Sequence, residues 1–193
     1  MKLPNISWHS RRLFEFARVE AIRLLLLNDA KRWSDSSELC HQWDERTKAI
    51  GGLIRANSRV VEFGAGRGSL VNYLPEGCTY CATDFVLRKG MKLFDLNSRE
   101  YPEIGSFDFA VFSGVLEYVK EIEEVAGYLS SRTPEIIASY SPTDTVPGKV
   151  NRRLCGWIND LSRRQFIATF EAPGYSLVKE LQWNEQTIFH FAQ

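Results

Sequence analysis

The stretch that most constrains this chain runs from Arg59 to Leu70, RVVEFGAGRGSL. Val60-Val61-Glu62-Phe63 is a short β-branched and aromatic run bounded by Ser58 and Gly64, the pattern of a parallel strand covered on both faces. Gly64, Gly66 and Gly68 follow with Ala65 between the first two, and the missing Cβ atoms let the loop take left-handed angles and lie close to a flat ligand. A helix opening near Ser69 would turn its free N–H groups and positive dipole end toward that ligand. Strand, glycine turn and helix together predict a site for a nucleotide-type cofactor.

With 193 residues there is chain enough for one sizeable α/β core, and a single domain over 1–193 is expected. Lys+Arg 24 against Asp+Glu 24 leaves no net charge for gripping a nucleic-acid backbone or an anionic membrane. The apolar run Leu24 to Leu27 is too short to span a bilayer, and Arg12, Arg18, Glu20 and Arg23 interrupt the segment before it. Neither a signal peptide nor a membrane helix is expected, which leads to a cytoplasmic reading. Cys78 and Cys81 have redox or zinc spacing, but no second pair completes a metal set, and Cys40, Cys78, Cys81 and Cys155 read as free thiols.

Ahead of the glycine stretch, Leu13, Phe14, Ala17, Ala21, Ile22 and Leu25 recur at helical spacing and predict an amphipathic helix from Trp8 to about Leu27. A second helix is expected after Ser36 or Ser37, with Leu39, Trp43, Thr47, Ile50 and Ile54 on one face and a stop at Asn57-Ser58. Residues 1–57 are thus expected to form a helical cap over a sheet core at 58–193, where His41 or Trp43 is in reach of a cofactor, or Trp43 packs as core on its apolar stripe.

Behind the stretch, Thr79 to Thr83 reads as the second strand, with Asp84 at its carboxyl end. Two carboxylate oxygens match a vicinal diol, so Asp84 is the candidate partner of a ribose. The connection Phe85 to Gly90 is too short for a crossover helix before the strand Met91 to Phe94. Asp95 with Leu96-Asn97 then offers a carboxylate and a backbone N–H side by side, a pair suited to adenine, though Asp-Leu-Asn-Ser reads equally as a turn. Further strands are expected at Phe107 to Phe112 and Glu135 to Tyr140, around a helix Glu121 to Ser130 with Ile122, Val125, Ala126 and Leu129 inward.

The segment Ser141 to Leu161 has neither period and holds Pro142, Pro147, Gly148 and Gly156. Lys149, Arg152, Arg153, Arg163 and Arg164 gather in or beside it, either as a solvated face or as a grip on a phosphate or carboxylate. Ser162 to Gln165 fits a capping box opening a helix that stops at Pro173-Gly174, and Tyr175 to Leu181 with Thr187 to Phe191 forms a closing hairpin. Strands alternating with helices describe an α/β, doubly wound, mostly parallel sheet of seven strands whose last hairpin is antiparallel.

With these residues in place, the chain resembles the class I S-adenosylmethionine-dependent methyltransferases from Arg59 onward. Glu62-Phe63-Gly64-Ala65-Gly66-Arg67-Gly68 matches the family's acidic-x-Gly-x-Gly-x-Gly motif, Asp84 the ribose position and Asp95 the adenine position. The resemblance implies a Rossmann-like fold, S-adenosylmethionine as cofactor, Glu62 near the amino group of its methionine moiety, and Ser113 beside the cofactor or acceptor. FSGVLEYV is similar to the segment after the fourth strand in members acting on small molecules, whereas the Asn-Pro-Pro-aromatic motif of many DNA methyltransferases is absent.

The implied activity is methyl transfer to an oxygen or nitrogen of a small-molecule acceptor, anionic or sugar-containing, without nucleic acid, membrane or metal, and with a homodimer left open. NAD fits less well, since Ser69 stands where the dinucleotide fingerprint wants glycine or alanine and Glu62 has no role there. A non-catalytic cofactor-binding subunit is the further alternative. No catalytic residue is assigned: His41, His190, Glu117 and Tyr118 are the candidates for a base, which matters chiefly when the acceptor is a hydroxyl.

Overall fold

The computed structural model describes residues 8–24, 30–35, 37, 39–145 and 151–193. Its seven strands are β1 (Arg59–Phe63), β2 (Thr79–Asp84), β3 (Lys92–Leu93), β4 (Phe109–Ser113), β5 (Glu135–Tyr140), β6 (Ser176–Trp183) and β7 (Gln186–Ala192). They form one sheet in the order β3-β2-β1-β4-β5-β7-β6, with β1 to β5 paired in parallel and β7 antiparallel to both β5 and β6. The expected doubly wound sheet with its antiparallel closing hairpin is therefore what the chain builds. Strand order reverses direction between β1 and β4, and the crevice outside their carboxyl ends is where such sheets hold ligands.

Alternation along each strand decides which side chains reach that crevice. Val61 and Phe63 of β1, Ala110 and Phe112 of β4 and Phe189 and Phe191 of β7 enter one core with α4 (Ile122–Ser130) and α5 (Arg163–Glu171). Val60, Phe109, Val111 and Ile188 enter the other, under Ile50 of α3 (Asp44–Gly51) and Ile54 just after it. By the same parity Glu62, Ser113 and Gln186 face α3. Helix α4 buries Ile122, Val125, Ala126 and Leu129, the expected set.

The capping box opens α5 as read: Ser162 Oγ accepts from the Gln165 N–H, and Gln165 Oε1 accepts from the Ser162 N–H at 2.9 Å. A Ser162→Ala variant is expected to lose about 1 kcal/mol of stability, measurable by urea unfolding.

Three local expectations change. The segment after the glycine loop is a 3-10 turn, Ser69–Tyr73, rather than an α-helix, because only ten residues separate Gly68 from β2. So short a turn sums few peptide dipoles, and the loop's N–H groups must do the work assigned to a helix end. The second N-terminal helix begins only at Asp44, after a 3-10 turn at His41–Trp43, and a short unforeseen helix α2 (Ala30–Ser34) precedes it. Ser36, where that helix was expected to open, lies outside the described residues.

Helix α1 (Trp8–Leu24) exists but is rotated from its expected orientation. Val19 is buried, whereas Leu13 and Phe14 are 71% and 69% exposed and Ala17 and Ala21 also face outward. In that orientation Glu20 accepts from Arg153 Nε at 2.5 Å. Leu25 and the Ile22 side chain lie outside the described residues. Among the described residues no helix is long and apolar enough to cross a membrane.

Candidate active site

A cavity of about 770 Å³ opens at the carboxyl ends of β1, β2 and β4, roofed by residues of α1, α2 and α3. Glu62, Gly64, Ala65, Gly66, Asp84, Asp95, Leu96 and Ser113 all line it. Gly68 does not; it supplies the left-handed residue, φ 69°, that starts the 3-10 turn. Gly64 stands at φ 65°, and a Cβ there would lie 2.5 Å from Val115 Cγ2, so a side chain is excluded on both counts.

Glu62 is 2% exposed, and its Oε2 accepts a 2.5 Å hydrogen bond from the Tyr80 hydroxyl. Burial pushes its carboxyl up to about 7, against the Tyr80 hydrogen bond and the Arg46 charge, which pull it down. A carboxyl raised in the folded state stabilises the fold below its unfolded value near 4.5, and that contribution is lost as pH rises through 7. Stability is accordingly expected to fall between about pH 5 and 7.5 in the parent chain, and to fall less in Glu62→Gln, by thermal melts across that range.

Asp84 is also buried; its Oδ2 accepts from the Gly66 N–H and its Oδ1 from the Val86 N–H, both at 2.9 Å. Arg88 Nη1 lies 3.2 Å from Oδ2. The carboxylate therefore ties the glycine loop to the end of β2 while presenting its rim to the cavity. Asp95 Oδ1 accepts from the Asn97 N–H at 2.9 Å, the turn that is the alternative reading of this residue, while Asp95 and Leu96 both line the cavity.

The far wall is aromatic. Trp33, Trp43, Trp157 and Trp183 line the cavity, four of the five tryptophans in the chain, and Tyr118 joins them. Trp33 meets Tyr118 edge to face at 5.1 Å, and Trp157 Nε1 donates to the Tyr118 hydroxyl at 3.1 Å. Burial pushes the Tyr118 phenol above its ordinary range, and its hydroxyl donates to the Cys155 carbonyl at 3.2 Å.

Of the four candidate bases, Tyr118 alone lines the cavity. Glu117 is fully buried behind Gln186, His190 pairs with Glu135 at the opposite end of β5, and the His41 side chain is 86% exposed against Arg67.

The loop after β5 contributes Asn151 and residues 154–158 to the cavity, yet its arginines are spent elsewhere. Arg152 and Arg153 both bind Asp160, Arg152 also donates to the Ser141 carbonyl at 2.5 Å, and Arg163 pairs with Glu180. The anion-gripping reading of Arg152, Arg153 and Arg163 is thereby corrected: Asp160 in the same loop, Glu20 and Glu180 pair with them. Pro147, Gly148 and Lys149 lie outside the described residues.

Arg46, unforeseen from sequence, also lines the cavity; it sits one turn after Trp43 beside the stripe otherwise read as apolar. All four cysteines are free, and no metal-binding cluster occurs among the described residues.

A family model described as a methyltransferase domain matches residues 36–180. The chain belongs to that methyltransferase family. No match to a curated protein was found by sequence. Solved structures share the methyltransferase's fold at low identity. The Burkholderia thailandensis 1,6-didemethyltoxoflavin-N1-methyltransferase, with 1,6-didemethyltoxoflavin and S-adenosylhomocysteine bound, matches with a TM-score of 0.59 at 16% identity, over 100% of this chain and 93% of that one.

Human N-acetylserotonin methyltransferase in complex with S-adenosylmethionine gives 0.66 at 11%, over 90% of this chain and 57% of that one. The pyocyanin biosynthetic protein PhzM gives 0.60 at 11%, over 76% and 54%. The methyltransferase thus spans little more than half the length of the last two.

Proposed function

We propose that this chain is an S-adenosylmethionine-dependent methyltransferase acting on an oxygen or nitrogen of a small molecule. The observation that carries the reading is the convergence of Glu62, the glycine turn and Asp84 on one cavity, in a chain of this family.

The residues present fit the cofactor. Glu62 is a buried carboxyl that ionises more readily beside a cation, and so suits an ammonium group. Gly66 leaves its Cβ position open for close backbone approach, Asp84 presents acceptor oxygens for a ribose, and Asp95 with Leu96 lines the part of the cavity suited to adenine. S-adenosylmethionine supplies, when bound, a methyl group on a sulfonium, which is an electrophile with a neutral leaving group. The protein's own part is alignment: the tryptophan and tyrosine wall positions a flat acceptor and excludes water, an effect worth several orders of magnitude in rate without a general base. Tyr118, held protonated by burial, orients rather than abstracts a proton. Residues 58–193 serve as the cofactor-binding core and 1–57 as its cap, and four free thiols suit a reducing cytoplasm.

Because a bound ammonium favours ionised Glu62, cofactor affinity is expected to be roughly tenfold weaker at pH 6 than at pH 8, with a proton released on binding, and to flatten in Glu62→Gln. Calorimetry in buffers of different ionisation enthalpy reads both. Catalysis itself is tested with methyl-labelled S-adenosylmethionine and a panel of phenols, aromatic amines and sugars. Label transfer supports the enzyme; cofactor binding with no transfer to any class would favour a non-catalytic subunit.

A further inference from the structure

Arg46 is 6% exposed, and only neutral oxygens hold it. Its Nε donates to Ser113 Oγ at 3.3 Å, its Nη2 to the Ser113 carbonyl at 3.0 Å and its Nη1 to Gln186 Oε1 at 2.6 Å. A guanidinium carries five N–H groups, so one remains on each terminal nitrogen. Arg67 and Arg88, which also line the cavity, each pair with a carboxylate. Among the described residues Arg46 has no such partner. Glu117 and Glu62 act on it through space without a direct ion pair, and a buried cation lacking a carboxylate in contact is costly to hold.

The surroundings hold Arg46 in place without neutralising it. Gln186 is oriented from behind, its Nε2 donating to Glu117 Oε1 at 2.7 Å, so that its oxygen faces Arg46. Glu117 itself stands one amide further off, and burial pushes its carboxyl toward the neutral form. Gly114, at φ 70°, keeps the space open, since a Cβ there would fall 2.4 Å from Arg46 Nη1. Trp43 and Trp183 flank the guanidinium at 5.8 and 5.4 Å. Glu62, of opposite charge, faces the same cavity from β1.

We propose that Arg46 is a ligand-binding residue that receives a carboxylate carried into the cavity by one of its two ligands. The inference rests on the methyltransferase reading, which supplies those ligands: the amino-acid end of the cofactor, which Glu62 and Arg46 would bracket by charge, or an acid group on a flat acceptor between Trp43 and Trp183. Planar two-oxygen anions match the two N–H groups left over, one on each terminal nitrogen.

Calorimetry on the full chain separates the sources. One arm compares S-adenosylhomocysteine with its decarboxylated analogue; the other compares naphthalene-2-carboxylate with naphthalene-2-carboxamide, on the free chain and on the chain loaded with S-adenosylhomocysteine. Loss of the carboxylate is expected to weaken binding about tenfold or more in one arm, which names the source. Arg46→Met should abolish that discrimination, and Arg46→Lys, which keeps the charge, should retain part of it. Discrimination in neither arm, or equal discrimination in a folded Arg46→Met, overturns the proposal. A parent chain that binds no S-adenosylhomocysteine overturns the methyltransferase reading instead, and the naphthoate arm still reads Arg46.

Discussion

The Asp84→Ala variant is expected to bind S-adenosylmethionine on the order of a hundredfold more weakly than the parent chain. Two effects combine. The substitution removes the acceptor oxygens proposed to hold a ribose, and it frees the Gly66 N–H that Asp84 Oδ2 holds at 2.9 Å, so the glycine loop loses its tie to β2. It also strips Arg88 of the carboxylate 3.2 Å away. Calorimetric titration of both proteins measures the change, with a thermal melt of the variant to establish that it folds. Unchanged affinity would remove Asp84 from the site.

Phe166→Ala is expected to cost about 3–5 kcal/mol of stability, the largest effect of any single core truncation considered. Phe166 is fully buried on α5, stacked on Tyr140 at 4.3 Å and 10°, and in contact with Phe170 and Phe189 at 5.2 and 4.9 Å. It joins the closing helix to β5 and β7 at once, so the cavity it leaves cannot collapse from one side. Urea unfolding would show the loss, with the exposed Val178→Ala as a control expected to move stability by less than about 0.5 kcal/mol. A loss below 1 kcal/mol for Phe166→Ala would contradict this packing.

What was legible in the sequence followed from short-range chemistry. The strand before Gly64 and the strand Glu135–Tyr140 show as apolar runs, the buried face of α4 as a period of 3.6, and the start of α5 as a capping box, each set within a few residues. Glu62, Asp84 and Asp95 could be grouped from sequence because each lies at or near the carboxyl end of a strand, and in a parallel sheet those ends meet at one rim, where all three line the cavity.

What was not legible depended on partners far along the chain. Glu20 of α1 meets Arg153, 133 residues on, and Arg163 meets Glu180, while Asp160 lies close in sequence to Arg152 and Arg153 but no local period marks the pairing. Periodicity assigned α1 the wrong face: Val19 is buried and Glu20 is paired, while Leu13 and Phe14 lie outward. Arg46 carried a faint signal, a charge beside an apolar helical stripe, but its environment is assembled from β4 and β7, 67 and 140 residues away.

The central claim is that the cavity at the ends of β1, β2 and β4 holds a methyl donor. Calorimetric titration of the full chain with S-adenosylhomocysteine and, separately, with NAD tests it most directly. The structure predicts saturable one-to-one binding of S-adenosylhomocysteine and none of NAD; binding of NAD alone would contradict it.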